Sequence, residues 1–469
     1  MTTFMNSRHI ADSPEISAPL LARELAECFR RAGHELYLIG GSVRDLLLGR
    51  STAGIDLDFA TSATPDQTDR IVSSLGLGKS YRVGERYGTI GLVHANATIE
   101  ITTFRKEVYP DETRKPRVSF GTSLLDDLER RDFTINAIAL DPLSNELIDP
   151  LGGLRDMELG LIRAVGTPSD RFREDPLRLL RAIRFATALE FEIESQTWTA
   201  MSEEVAGLRR ISRERIRDEY TRMLEGSLPS RALTLLRDSR AMAESVPELL
   251  VLTEMKDHGP RHPLSLWDHT MRVVDAVPPI LAVRWAAVLH DIAKPTTRTT
   301  EPSGRPRFFH HEDVGAEIAR TILEGLRYSN SLVDAVTLLV ETHMQLHSYS
   351  DEWSDGAVRR LMLRLGPQFQ EAIALARADG AGHSLTGRSE NAPRYDRLEE
   401  RVRDLGRTEV APASPLSGDD LMQRYARPPG PWIRRMKDAL RDAVIDGTLD
   451  PEDRDAAWRL ADSVIAETR

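Results

Sequence analysis

Asp56 and Asp58 stand two positions apart in the apolar run Ile55-Asp-Leu-Asp-Phe-Ala60. In a strand, residues two apart share a face, so both carboxylates point one way and repel each other unless a cation sits between them. Paired oxygen ligands suit Mg²⁺, and two-metal phosphoryl transfer uses such a clamp on the attacking and leaving oxygens. Just upstream, Tyr37 to Gly49 reads as a strand, a double-glycine turn and a short helix, with Ser42 to cap the helix and Gly49 to end it. Gly40 and Gly41 admit a ligand close to backbone N–H groups. The helix start favours a phosphate, and Arg44 adds a forked cation. Two glycines alone are an ordinary tight turn; followed by the carboxylate pair, they predict a metal-assisted phosphoryl-transfer site. Glu100, in Thr98-Ile-Glu-Ile-Thr102, is a candidate third carboxylate, with a plain surface role equally open.

A second chemistry lies further on. His269 sits in Trp267-Asp-His-Thr270, and His290-Asp291 in Ala287-Val-Leu-His-Asp-Ile-Ala-Lys294. His311, His343 and Asp379 follow, each on or beside an expected helix. Imidazole with carboxylate suits first-row divalent cations. A lone helical histidine is usually a core residue, but an adjacent His-Asp with further histidines downstream predicts a site for a divalent transition metal.

Between the two groups runs Glu174-Asp-Pro-Leu-Arg-Leu-Leu-Arg-Ala-Ile-Arg-Phe185. Leu179, Leu180, Ile183 and Ala186 form one apolar stripe at helical spacing. Arg178, Arg181 and Arg184 lie on the other side, where a solvated basic face is the simple reading. Asp175, one turn before Arg178, adds an acceptor to a donor, a pair able to read a base edge. Five arginines between Leu208 and Arg217 are either an RNA-phosphate patch or a salt-bridged helix.

These side chains need scaffolds of two kinds. From Leu36 to about Ile148, short apolar runs alternate with glycine-rich turns, with strands expected at Leu36–Ile39, Ile55–Ala60, Thr89–Val93 and Thr98–Phe104. From Asp170 onward nearly everything reads as amphipathic helix, broken near Gly259-Pro260, Pro295 to Pro306 and Ala411 to Gly418. The 469 residues suggest about three domains. With 41% hydrophobic and 29% charged residues, the chain is neither wholly disordered nor collagen-like. Its net charge of −11 excludes a bulk nucleic-acid coat but not RNA binding by clustered arginines. The single cysteine, Cys28, makes no internal disulfide or Cys-rich zinc site and fits a reducing compartment. Met1 to Pro19 lacks a signal pattern, and no apolar run is long enough for a bilayer. The expectation is a cytoplasmic protein with no membrane partner, its oligomeric state left open.

Gly40-Gly-Ser-Val-Arg-Asp45 followed by Asp56-Leu-Asp58 resembles the nucleotidyltransferase head of the DNA polymerase β superfamily. Arg130-Arg-Asp-Phe-Thr-Ile-Asn-Ala137 and the Glu174–Phe185 run narrow this. In order, between Leu36 and Tyr220, the four motifs resemble the class II tRNA nucleotidyltransferases, meaning the CCA-adding enzymes and their poly(A) polymerase relatives. The resemblance implies an α+β fold: a polymerase-β-like α/β head followed by a mostly α-helical body. It implies that Gly41 and Arg44 hold a triphosphate, that Asp56 and Asp58 bind Mg²⁺, and that Arg131 contacts the incoming nucleotide. Asp175 and Arg178 would read the base of CTP or ATP, and Arg181 and Arg184 would assist with phosphates or geometry. The implied partner is tRNA. Ile55 departs from the family, whose members often carry Lys there.

The long charged stretch Phe104 to Arg117 reads as a loop, and its presence in the resembled family favours full CCA addition. Glu85 and Gly88 depart from the Gly-Arg-Arg-Phe-like run of poly(A) polymerases. Ile211 to Glu219 resembles the family's neck motif, whose role is mainly support, and Pro415 to Met422 resembles a loop and helix start in the tail of related enzymes. The order H…HD…H…H…D resembles the HD phosphohydrolase superfamily, which carries metal binding to His269, His290, Asp291 and Asp379, and a second metal to His311 and His343. The expected organisation is a disordered 1–19, a nucleotidyltransferase head 20–160, a helical neck 161–258, an HD domain 259–385 and a helical tail 386–469. The rivals are a poly(A) polymerase, a mainly HD-type phosphohydrolase and a non-catalytic RNA-binding protein.

Overall fold

The computed structural model describes residues 18–50, 56–76, 80–83, 88–94, 97–108, 117–121, 123–255, 264–303, 306–382, 392–406 and 414–466. Residues 1–17, Ile55, Glu85, 109–116 and the break at Gly259-Pro260 therefore lie outside the described residues. The chain divides into two compact units, Met1–Pro247 and Glu248–Arg469.

The first unit is built on a seven-stranded mixed sheet. Its strands are β1 (Leu36–Ile39), β2 (Leu57–Thr61), β3 (Ser80–Val83), β4 (Thr89–His94), β5 (Ala97–Thr103), β8 (Ala139–Leu140) and β9 (Leu147–Ile148), in the order β3-β4-β5-β2-β1-β8-β9. β2 runs parallel to β5 and antiparallel to β1. The register sets Asp58 beside Glu100. Leu38, Phe59, Ile99 and Ile101, from β1, β2 and β5, are fully or almost fully buried, while Asp58 and Glu100 between them are half-buried.

The charged stretch expected to be a loop is in part a hairpin. β6 (Arg105–Val108) and β7 (Arg117–Phe120) pair antiparallel, Arg105 opposite Phe120 and Val108 opposite Arg117. A charged run shows no apolar alternation to reveal a strand, so backbone pairing decided this element.

Around the sheet lie α1 (Leu20–Arg31), α2 (Gly41–Leu47), α3 (Pro65–Ser74), α4 (Leu124–Glu129) and α5 (Gly153–Glu158). α1 buries Ala22, Leu25, Ala26 and Phe29, one stripe at helical spacing. A Thr64–Gln67 capping box starts α3. The helical part follows as α6 (Pro168–Glu174), α7 (Leu177–Leu189), α8 (Ser195–Glu204), α9 (Arg213–Leu224), α10 (Pro229–Asp238) and α11 (Ala241–Ser245). A short parallel pair, β10 (Leu161–Ile162) and β11 (Glu192–Ile193), ties α7 to the preceding chain. The helix expected to open at Glu174 starts instead at Leu177. Glu174 ends α6, and Asp175 is extended, with φ −140° and ψ 97°. The cause is Pro176, which disfavours helical geometry in the residue before it.

The second unit is helical. It comprises α12 (Leu266–Ala276), α13 (Leu281–Leu289), α14 (Lys294–Thr297), α15 (His311–Gly325), α16 (Asn330–Ser348), α17 (Asp355–Leu365), α18 (Phe369–Gly382) and α19 (Ala392–Leu405). A small hairpin, β12 (Arg298–Thr300) with β13 (Pro306–Phe308), lies between α14 and α15. α16 packs on α13, α15 and α18, and α12 packs on α13 and α18. The chain ends in α20 (Gly418–Tyr425), α21 (Pro431–Ile445) and α22 (Arg454–Ala466), which bury Leu421, Met436, Leu440, Ala457 and Ala461 in a core of their own. Ser417 and Asp420 form a capping box at α20. Among the described residues no helix is long and apolar enough to cross a membrane.

Candidate active site and metal centre

Gly40, with φ +69°, turns the chain from β1 into α2 in a conformation that L side chains rarely adopt. A Cβ there would also lie 2.8 Å from Arg131 Nη1, so the glycine admits the guanidinium over the turn. Gly40 itself occupies the capping position. Ser42, expected to cap, is inside the first turn, and its hydroxyl faces the neighbouring strand. It donates to the Asp56 carbonyl at 3.1 Å and accepts from the Asp58 N–H at 3.0 Å. The phosphate-binding turn is thereby stapled to the carboxylate pair. Asp56 directly precedes β2 and is exposed; Asp58 is its second residue and half-buried.

Three carboxylates crowd this end of the sheet. Burial, and after it the charges of Glu100 and Asp56, push Asp58 up to about 6, against the pull of Arg131 and Arg44. A carboxyl raised by like neighbours is one that a cation would relieve. The donors are all oxygen, which fits a hard divalent cation such as Mg²⁺.

The arginines of the site are built into a network. Arg44 donates to Asn136 Oδ1 at 2.7 Å and through two nitrogens to Asp45. Asn136 donates to Asp132 Oδ1 at 3.0 Å, and Asp132 Oδ2 accepts from Arg181 Nε at 2.8 Å and Nη2 at 2.5 Å. Burial works against the Asp132 charge, but Arg181 and Asn136 hold its carboxyl well below the usual range. Arg44 and Arg181 both lie over the Phe185 ring, 5.0 and 5.4 Å from its centre. Arg131 donates to the Asn136 carbonyl and to Asp127, while its buried Nε has no hydrogen-bond partner among the described residues.

The polar side of α7 is not the solvated face its spacing suggests. Arg178 is buried, donating to Glu174 at 2.7 Å and to the Arg130 carbonyl at 2.9 Å. Arg184 donates to Glu219 of α9 at 2.7 Å. Asp175 accepts from Arg215 at 2.7 Å and from the Leu177 N–H. The arginine face therefore docks on the Arg130–Asp132 segment and on α9, since a guanidinium with carboxylate and carbonyl partners can be covered. Asp175 precedes α7, and its carbonyl accepts the Arg178 N–H at 3.0 Å.

The arginines between Leu208 and Arg217 serve the same end. Arg209 pairs with Glu244, Arg213 donates to the Ser245 carbonyl, Arg215 holds Asp175, and Arg217 pairs with Asp218.

In the second unit all six expected histidines and aspartates converge. His269 comes from α12, His290 and Asp291 from the end of α13, His311 from the start of α15, His343 from α16 and Asp379 from α18, all buried. They form two groups that share Asp291: His269, His290 and Asp291, and Asp291, His311 and His343. Asp291 Oδ2 is 3.2 Å from His290 Nε2 and 3.6 Å from His269 Nε2. Its Oδ1 is 3.3 Å from His311 Nε2 and 3.9 Å from His343 Nε2. Asp379 Oδ1 is 3.1 Å from His269 Nε2.

His290, His311 and His343 turn Nδ1 to the carbonyls of Ala287, Phe308 and Val340, at 2.9, 2.9 and 2.6 Å. Each carbonyl accepts the proton on Nδ1, which leaves Nε2 to face the cluster. Burial and the charge of His290 push His343 down to about 3, so its ring is neutral near pH 7. Burial opposes ionisation of Asp291, but His290 and Lys294 hold it well below the usual carboxylate range. This nitrogen-and-oxygen donor set fits first-row divalent cations.

Two residues here received no role from the sequence. Lys294 donates to Asp291 Oδ2 at 2.6 Å, and His347 lies 2.6 Å from Asp379 Oδ2. Their signals were positional: Lys294 follows Asp291 by three, and His347 follows His343 by four.

A mixed sheet carrying a glycine turn against crowded carboxylates, followed by a helical body with an HD-type cluster, defines a nucleotidyltransferase. The family described as Poly A polymerase head domain matches residues 36–163. That described as probable RNA and SrmB-binding site of polymerase A matches 190–252, and the HD domain matches 261–380. The CCA-adding enzyme of Geobacillus thermodenitrificans (strain NG80-2) is 32% identical over 445 residues, covering 93% of this chain and 95% of that protein. The CCA-adding enzyme of Geobacillus sp. (strain WCH70) is 30% identical over 427 residues, covering 91% and 92%. The crystal structure of the Bacillus stearothermophilus CCA-adding enzyme in complex with CTP is similar with a TM-score of 0.71 at 27% identity, covering 95% of this chain and 98% of that one. The chain belongs to the family of CCA-adding enzymes.

Proposed function

We propose that this protein builds and repairs the 3′-terminal CCA of tRNA from CTP and ATP. The observation that carries the proposal is the Ser42 staple, which ties the phosphate-binding turn to Asp56 and Asp58 at the edge of the Glu100 strand. The tRNA 3′-oxygen would form a bond to the α-phosphorus of the nucleotide as the bond to the pyrophosphate oxygen breaks. Asp56 and Asp58, with Glu100 beside them, would hold Mg²⁺, which when bound activates the attacking oxygen and stabilises the leaving one. Gly41 and the start of α2 present N–H groups to the triphosphate, and Arg44 adds positive charge. Arg131 reaches over Gly40 toward the incoming nucleotide. Asp175 and Arg178 present an acceptor and a donor to the base, held by Arg215 and by Glu174. Arg181 and Arg184 keep α7 in register with the turn. Side chains rather than a nucleic-acid template would then select CTP and ATP. The helical parts following the sheet would carry the tRNA, and the reaction belongs in the cytoplasm.

In the second unit His269, His290, Asp291 and Asp379, with His311 and His343 across the shared Asp291, would hold divalent transition metals. A phosphohydrolase activity there is the corresponding second function. A poly(A) polymerase is the disfavoured alternative, since the relatives matched over nearly the whole chain are CCA-adding enzymes.

The test is a tRNA transcript lacking its CCA end, incubated with the protein and Mg²⁺ and sized at single-nucleotide resolution. Two additions with CTP alone and a third only with both nucleotides are expected, and none with Asp56→Ala. A ladder with ATP alone would establish poly(A) synthesis instead. No extension by the intact protein would sink the proposal.

A further inference from the structure

Tyr395 lies on α19, beyond residue 380 where the HD match ends. The residue is fully buried, and its hydroxyl is 3.1 Å from His347 Nδ1. His347 Nε2 in turn is 2.6 Å from Asp379 Oδ2. The other oxygen of Asp379, Oδ1, faces the histidine cluster, 3.1 Å from His269 Nε2 and 3.7 Å from His290 Nε2. Three helices, α19, α16 and α18, thus contribute one side chain each to a line that ends at the cluster.

The direction of each bond follows from the chemistry of the groups. An ionised carboxylate only accepts, so His347 Nε2–H donates to Asp379 Oδ2. Nδ1 of the neutral ring is then an acceptor, and the Tyr395 hydroxyl donates to it. Arg394 lies over the Tyr395 ring, its guanidinium carbon 5.4 Å from the ring centre. The wiring of His347 is the reverse of that of His290, His311 and His343, whose Nδ1 atoms go to backbone carbonyls and whose Nε2 atoms face the cluster. His347 is therefore arranged as a donor to a ligand rather than as a ligand.

Resting on the reading of the cluster as a metal centre, we propose that Tyr395 and His347 are positioning residues. They pin Asp379 Oδ2, so that Oδ1 stays turned into the group of His269, His290 and Asp291. The terminal torsion of an aspartate is broad and roughly two-fold, and α18 alone does not choose which oxygen faces the cluster. A pinned carboxylate meets a cation already oriented. The second group, His311 and His343 with Asp291 Oδ1, lies outside this line. The relay thus sets the affinity of one of the two metal positions and leaves the other alone.

The test uses the full chain carrying Asp56→Ala and Asp58→Ala, which removes the other cation site, stripped by chelation and titrated with Co²⁺. Binding is followed by calorimetry and by the visible absorption of the bound ion. The parent is expected to take two equivalents. Tyr395→Phe, which keeps the buried ring, should weaken one position by about 10-fold and His347→Ala by up to about 100-fold, the usual range for an outer partner of a ligand. The other position should be unchanged. His347→Gln, whose amide N–H can reach Asp379 Oδ2, should recover most of the loss. Unchanged binding in Tyr395→Phe and His347→Ala, equal weakening of both positions, or a Gln variant no better than Ala would each overturn the relay alone. A parent that binds no Co²⁺ would overturn the metal reading, and the relay with it.

Discussion

The Ser42 hydroxyl accepts the backbone N–H of Asp58 at 3.0 Å while donating to the carbonyl of Asp56 at 3.1 Å. One buried side chain on α2 thereby fixes the start of β2, where both carboxylates are carried. Ser42→Ala leaves a buried N–H without its partner, at a cost of about 1–3 kcal/mol. Part of that cost falls on the carboxylate geometry. We expect kcat for CTP addition to drop by roughly tenfold on this scale, with tRNA affinity unchanged. Equal activity of variant and parent in single-turnover assays would refute the staple.

The two chemistries should separate. Asp56→Ala or Asp58→Ala removes the hold on a cation that supplies several kcal/mol of charge stabilisation, so nucleotide addition should fall by roughly 10³-fold or more. Asp291→Ala should leave addition intact and abolish metal binding in the histidine cluster. Loss of CCA addition in Asp291→Ala would contradict this separation.

Asp58 sits at about 6 because it is buried and faces Glu100 and Asp56. Protons and Mg²⁺ then compete for the same oxygens. At sub-saturating Mg²⁺, nucleotide addition should decline as pH falls through about 6 and recover when Mg²⁺ is raised. Glu100→Gln removes one charge that pushes Asp58 up, so the midpoint should move to lower pH whatever the maximal rate. A midpoint that stays put in pH–rate profiles would argue against Glu100 as a neighbour.

Asp132 is a hub, buried between Arg181 and Asn136. Asp132→Ala leaves Arg181 without its carboxylate, and breaking a covered pair of this kind costs about 3–5 kcal/mol. The lower end is expected, because the Arg181 side chain keeps 32% of its exposure. The effect should appear as a clear fall in denaturant midpoint, and Asp132→Asn, which keeps the shape and an acceptor, should lose less.

Metal removal should destabilise the helical unit. A cation that binds only the folded cluster contributes about 2.7 kcal/mol at a hundred times its dissociation constant. Calorimetry of metal-loaded protein should therefore show an unfolding transition that moves down on chelation. The same scan on Asp291→Ala should be insensitive to chelator.

Much of this molecule was written in local pattern. Asp56 and Asp58, the glycine turn, the apolar stripe of α7 and the order of the histidines and aspartates are properties of residue type and spacing, although β2 begins at Leu57, after Asp56, and α7 at Leu177. Those features determined by themselves that a sheet would carry a carboxylate pair and that helices would carry imidazoles. Partner choice was not legible, because periodicity reports which face of an element is apolar and not what lies opposite a polar one. For Arg178, Arg181 and Arg184 the spacing left a solvated face and a nucleotide contact both open, and it named neither Glu219 of α9 nor Asp132 as a partner. Glu100 became Asp58's neighbour only through the parallel pairing of β2 with β5. Ser42 looked like a cap until Gly40 took that position and left its hydroxyl to the next strand. Asp291 is shared between two groups, and Tyr395 reaches Asp379 through His347, because helices far apart in the chain pack around one point. Tertiary structure alone decides such contacts: a hydrogen bond needs two groups within about 3 Å, and only the packing of distant segments brings them there.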